Sequence, residues 1–169
     1  MIIAGIDQSF TFTGVCLFDK ETQELIRSTG FKSEKKINKE VQLFDKRVTD
    51  LSDEIVAYLV KNDVEEVSIE SLSLMSHSAS SLVLAGLFYV ILDKLQKKGI
   101  AYMKVPPKTL KAHVRHGNMK KEEMYDLIPE IDKQKLLKLG YKKTSGLYDL
   151  SDAYHLGQYL FAHPDKLVG

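Results

Sequence analysis

The chain has 169 residues, enough to bury the core of one domain and short for two, and its 44% hydrophobic and 28% charged composition is that of an ordinary soluble globular protein. Its one cysteine, Cys16, excludes an internal disulfide, and the N-terminus lacks the basic leader of a signal peptide. No apolar run reaches the roughly 18 residues of a membrane helix, so a reducing cytoplasm and no membrane contact are expected.

In chain order, residues 1–7 (MIIAGID) read as a buried strand, 13–19 (TGVCLFD) as a second and 24–31 (ELIRSTGF) as a third. The turn-rich QSFT and KETQ between them make a three-strand meander. A helix is predicted from about 38 to 61, where Val41, Phe44, Val48, Leu51, Ile55, Tyr58 and Leu59 recur at helical spacing. A fourth strand over 65–72 (EEVSIESL) precedes a very apolar helix over about 80–98, and 99–107 (GIAYMKVPP) reads as a fifth strand stopped by its prolines. Residues 109–145 are lysine-rich, part helix and part loop, and a last helix is predicted over about 148–162. Strands first, then strands alternating with helices, imply an α/β fold: a mixed five-stranded sheet flanked by helices, in a single domain spanning 1–169.

The net charge of +1 averages two unlike halves. Residues 1–93 carry 9 basic and 15 acidic side chains, a net −6, and residues 94–169 carry 15 and 8, a net +7. Within 94–121 nine basic residues (Lys94, Lys97, Lys98, Lys104, Lys108, Lys111, Arg115, Lys120, Lys121) occur with no acid, and a second acid-free run holds Lys133, Lys135, Lys138, Lys142 and Lys143. A basic segment over about 94–145 points to a polyanion; a solvated lysine-rich surface is the plainer alternative.

Four acids stand where an apolar core does not want them. Asp7 closes the first strand, Glu70 closes VSIE, and Asp149 and Asp152 share one face at the start of the last helix. Each alone has a plain reading: a turn acceptor, an exposed strand end, favourable acids in a helix's first turn. Together they can converge beyond the strand ends, where ligands of such sheets gather. Converging carboxylates repel one another unless cations sit among them, and oxygen-only ligation suits Mg²⁺ or Mn²⁺ rather than Zn²⁺. Two such ions per site, roughly 4 Å apart, suit in-line displacement at phosphorus.

GIDQSFTFTGVCLFD, VSIESL, VPPKTLKAHVRHGNMKKEEM and YDLSDAYHLGQY, in that order over nearly the whole chain, resemble the RuvC family of Holliday-junction resolvases, and PKTLK, HGN and KKEEM resemble its phage-borne branch. The resemblance implies a ribonuclease H-like fold, a homodimer, and divalent-metal cleavage of four-way DNA junctions by paired nicks, in recombination, repair or replication. It assigns the catalytic, metal-holding acids to Asp7, Glu70, Asp149 and Asp152, and phosphate-reaching lysines to Lys111 and to Lys120 or Lys121, with Lys121 favoured as catalytic. Lys104, Lys108, Lys111, Arg115, Lys120 and Lys121 are the expected DNA-binding set. The helix over 80–98 falls where the family dimerises, and its apolar character all round fits burial on two sides; an ordinary core helix is the alternative.

Two departures carry consequences. Asp7-Gln8-Ser9 stands where bacterial members have Asp-Pro-Gly, which alters the turn and keeps the acid. Ser73 stands where bacterial members place a base-stacking aromatic, with Leu72, Leu74 or Met75 as substitute wedges. Stacking is worth roughly 1–3 kcal/mol per base, so weak sequence preference and acceptance of forks and flaps are expected. His155 lies three residues beyond Asp152 on the same helical face, which makes a metal-adjacent role one reading; His77, His113, His116 and His163 read as surface or phosphate-contacting groups, and Tyr102, Tyr125 and Tyr141 as packing. Two other classes share parts of the pattern. A catalytically idle junction-binding protein would use the basic half alone. An actin-like phosphotransferase would share the first strand, but no second phosphate loop accompanies it.

Overall fold

Ile2–Asp7 (β1), Thr13–Asp19 (β2) and Leu25–Phe31 (β3) form the expected meander, antiparallel throughout. Val64–Glu70 (β6) and Ala101–Val105 (β7) add in parallel on the other side of β1, giving one mixed sheet of order β3-β2-β1-β6-β7. The structure, a computed structural model, describes residues 1–37, 40–72 and 79–169.

Side chains alternate across a strand, so each strand feeds two cores. On one face Ala4, Ile6, Val15, Leu17, Val67 and Ile69 pack under two helices, Phe44–Lys61 (α1) and Ala79–Lys97 (α2). On the other, Ile3, Cys16, Phe18, Met103 and Val105 pack under the long last helix, Leu147–Ala162 (α6). The lysine-rich segment supplies three short helices on that second side: Pro107–Val114 (α3), Lys121–Asp126 (α4) and Glu130–Leu137 (α5). Tyr125 is buried on that side and Tyr102 on the α1/α2 side, and Tyr141 packs edge-on against Phe12, so all three serve packing.

The helix predicted from residue 38 starts instead at Phe44. Before it, Lys36–Ile37 (β4) and Glu40–Val41 (β5) pair as a two-residue ladder, and the Gln42 amide donates to the Lys35 carbonyl at 3.0 Å. Val41 therefore leaves the helical stripe and stands 64% exposed, while Val48, Leu51, Ile55 and Leu59 carry the buried face. On α2, Leu87, Phe88, Ile91 and Leu95 are buried while Leu82 and Tyr89 stay 74% and 62% exposed on its outer side. No helix among the described residues is long and apolar enough to cross a membrane.

Candidate active site

The site follows from register. Ile6 pairs with Ile69 across the parallel β1–β6 ladder, and both face α1 and α2. One residue later the chain turns each side chain to the opposite face, so Asp7 and Glu70 emerge side by side toward α6. Gly14 of β2 lies opposite Asp7 on the other flank.

Two glycines let α6 close over these strand ends. A Cβ on Gly5 would stand 2.0 Å from the Ala153 carbonyl oxygen and 2.5 Å from the Gly157 nitrogen, and one on Gly14 would stand 2.7 Å from the Asp149 carbonyl oxygen. Backbone meets backbone at both places. From Gly5 to Asp7 the strand advances about 6.6 Å, and from Ala153 back to Asp149 the helix retreats about 6 Å, so the seat of α6 carries Asp149 and Asp152 to the level of Asp7.

Lys121 completes the group from α4. Its Nζ stands 3.4 Å from Asp149 Oδ1 and 3.8 Å from Asp152 Oδ2. Burial pulls this ammonium down, but Asp152, Asp149 and Asp7 overcome it and hold Lys121 above its ordinary value. Burial, then Glu70, Asp152 and Asp149, push the Asp7 carboxyl well up, with Lys121 opposing. Burial and Asp152 raise Glu70 to about 7 against Lys121 and Lys111. Burial raises Asp152 to about 6 against the same two lysines, with Asp149 adding to the rise. Four carboxylates from three distant parts of the chain thus lie within one another's field.

Of the expected basic set, Lys121 and the half-buried Lys111 on α3 reach that field. Lys108 on α3, Arg115 at its end and Lys120 before α4 are exposed. Lys104 is differently placed. It pairs with Ile69, between buried Met103 and Val105, so alternation puts it on the α1/α2 face, away from the acids. Of Lys120 and Lys121, only Lys121 makes the ion pairs with the acids. His155, three residues beyond Asp152, is buried and meets the Met124 carbonyl of α4 through Nε2 at 2.7 Å. His113 stacks edge-on against Tyr159. Ser73, Leu74, Met75 and His77 lie outside the described residues; Leu72 is half-buried against the α1/α2 core.

As they stand, no three acidic, histidine or cysteine side chains among the described residues are gathered tightly enough to hold a metal ion. The chemistry of the group nevertheless fits one. Its donors are all oxygens, burial and then the neighbouring carboxylates raise Asp7, Glu70 and Asp152, and the buried Ser68 hydroxyl has no hydrogen-bond partner. Ser68 sits opposite Gly5 and two residues before Glu70, on the acids' face of the sheet. Such a set suits a hard divalent cation.

A pH dependence follows. The raised carboxyls hold protons more tightly folded than unfolded, so their stabilisation is complete below the ordinary carboxylate value and is lost as pH rises through about 6 for Asp152 and about 7 for Glu70. In EDTA the melting temperature is expected to fall by several degrees between pH 5.5 and 8, and Mg²⁺ to restore it at pH 8. A melting temperature that rose over that interval in EDTA would contradict this origin of the shifts.

At the level of sequence, no family model and no curated protein matches the chain. Solved structures do. The structure described as Thermus thermophilus RuvC superposes with a TM-score of 0.70 at 20% identity, over 99% of this chain and 98% of that one. The yeast mitochondrial Holliday junction resolvase Ydc2 gives 0.64 at 17% identity, over 95% and 80%. The fowlpox virus resolvase, solved with substrate Holliday junction DNA, gives 0.63 at 15% identity, over 97% and 99%. The chain has the α/β, ribonuclease H-like fold of these resolvases.

Proposed function

We propose that the chain is a divalent-metal-dependent, structure-selective endonuclease that cuts four-way DNA junctions, and forks or flaps with them. One observation carries this reading: Asp7, Glu70, Asp149 and Asp152, distant in sequence, share one electrostatic field at the strand ends, with Lys121 among them. The likeness in fold to resolvases, two of them solved with Holliday junction DNA, supports it.

The four acids would hold two Mg²⁺ or Mn²⁺ ions, which when bound supply an activated water and stabilise the departing 3′ oxygen. The rest falls to this chain's own side chains. Lys121 and Lys111 neutralise the carboxylates and give the scissile phosphate cationic partners, and exposed Lys108, Arg115 and Lys120 hold the flanking backbone. The whole chain acts as one nuclease domain. Paired nicks require two sites, and the outward Leu82 and Tyr89 of α2 supply an apolar surface for a homodimer.

The test is a gel assay of four-way junctions, forks, flaps and linear duplex, with Mg²⁺ and with EDTA. Metal-dependent nicking of branched DNA, at comparable rates on junctions differing only in core sequence, is expected. Junction binding without nicking under Mg²⁺ or Mn²⁺ would leave the idle junction binder as the better reading.

A further inference from the structure

α4 is six residues long, far below the roughly 12–15 that stand as an isolated helix in water, so its position comes from what it packs on. It packs on α6. Tyr148, Asp152 and His155 lie at i, i+4 and i+7, one stripe of that helix, and each meets α4. The Tyr148 hydroxyl donates to Glu122 Oε1 at 3.2 Å, Asp152 pairs with Lys121, and His155 Nε2 meets the Met124 carbonyl at 2.7 Å.

These three ties differ in strength. The Tyr148–Glu122 bond is exposed, and Lys121 keeps 54% of its side-chain surface, so both are screened by water and add little. The His155 bond is buried. A carbonyl can only accept, so Nε2 must carry the proton, which fixes the tautomer; burial holds the ring below its ordinary pKa and so neutral near pH 7. Met124 is within the last four residues of α4, whose carbonyls have no donor four residues on within the helix. His155 satisfies that carbonyl from α6. Met124 is fully buried and one turn beyond Lys121, so fixing it fixes the turn that carries the ammonium.

We infer that His155 is a positioning residue: by tying the Met124 carbonyl to the acid-bearing helix, it sets where Lys121 stands relative to Asp149 and Asp152. Its effect on catalysis rests on the nuclease reading above; its effect on α4 does not. A buried hydrogen bond lost on one side leaves a polar group unsatisfied, and displacement of a charged group by about 1 Å costs up to about 100-fold in rate.

The experiment compares His155→Leu and His155→Gln in two backgrounds, native and Lys121→Ala, alongside amide hydrogen exchange. Gln keeps an N–H donor at similar reach, and Leu does not. His155→Leu is expected to slow junction cleavage by about 10-fold or more with junction affinity unchanged, and His155→Gln to recover most of the rate. In the Lys121→Ala background His155→Leu should cost no more than about twofold further, because the group it positions is gone. Exchange of the 124–128 amides should quicken in His155→Leu, while β1 and β6 amides do not change. Equal losses for Leu and Gln, a full additional loss on top of Lys121→Ala, or unaltered exchange in α4 would each overturn the inference. Should His155→Leu fail to fold, His155→Asn, too short to reach the carbonyl, replaces it. A native protein that cuts no junction would defeat the nuclease reading, and the exchange arm would still decide the tether.

Discussion

Asp7→Asn is expected to lower junction cleavage by about 10³-fold or more while leaving junction affinity within about twofold. The amide keeps the shape of the carboxyl and the seat of α6, so the fold and the basic surface that holds DNA are untouched. What it removes is an ionisable oxygen donor that lies within the field of Glu70, Asp152 and Asp149. The same change removes the cost of burying a carboxylate and then its repulsion with Glu70, Asp152 and Asp149 in the cation-free protein, so Asp7→Asn should melt higher than native protein in EDTA at pH 8 and gain less from Mg²⁺. Loss of junction binding, or a lower melting temperature in EDTA, would mean that Asp7 serves the fold.

Gly5→Ala is expected to be the most damaging single methyl group in the chain. Its Cβ would lie 2.0 Å from the Ala153 carbonyl oxygen and 2.5 Å from the Gly157 nitrogen, backbone atoms of a buried helix that cannot swing aside. Relief requires α6 to lift by more than about 1 Å, which opens the core beneath it and carries Asp149 and Asp152 away from Asp7 and Glu70. A destabilisation of about 3–5 kcal/mol, at the upper end for overpacking, and a loss of cleavage beyond about 100-fold are expected. Gly117→Ala is the control: its nearest neighbour would be the Lys108 carbonyl at an ordinary 3.6 Å, and its melting temperature should stay near the native one. Denaturant unfolding of the two variants checks this; equal midpoints for both would show that α6 is not seated through Gly5.

Much of the fold was legible because its signals are periodic. β1, β2, β6 and β7 announce themselves by β-branched and apolar runs, and α6 by an apolar segment that the structure buries without a break from Leu150 to Gly157. The acids were legible as misfits, each breaking an apolar pattern at an element's end. What escaped has physical reasons. The seat of α6 depends on side chains that Gly5 and Gly14 lack, and a missing group leaves only the weak hint of glycine within a strand. α1 starts at Phe44 and not at residue 38 because Val41, which fits the helical stripe, also fits a two-residue ladder, and backbone pairing decides between them. Helical spacing set His155 on the face of Asp152 but could not say that α4 lies above that face. Charge groups Lys104 with the basic run, whereas its place between two buried residues of a strand turns it, by alternation, away from Glu70.

The most direct measurement is the anomalous scattering of crystals equilibrated with Mn²⁺. Two ions roughly 4 Å apart, ligated by Asp7, Glu70, Asp149 and Asp152, are the expected result. Saturating Mn²⁺ that leaves these four carboxylates without an ion, in protein that still cuts junctions, would contradict it.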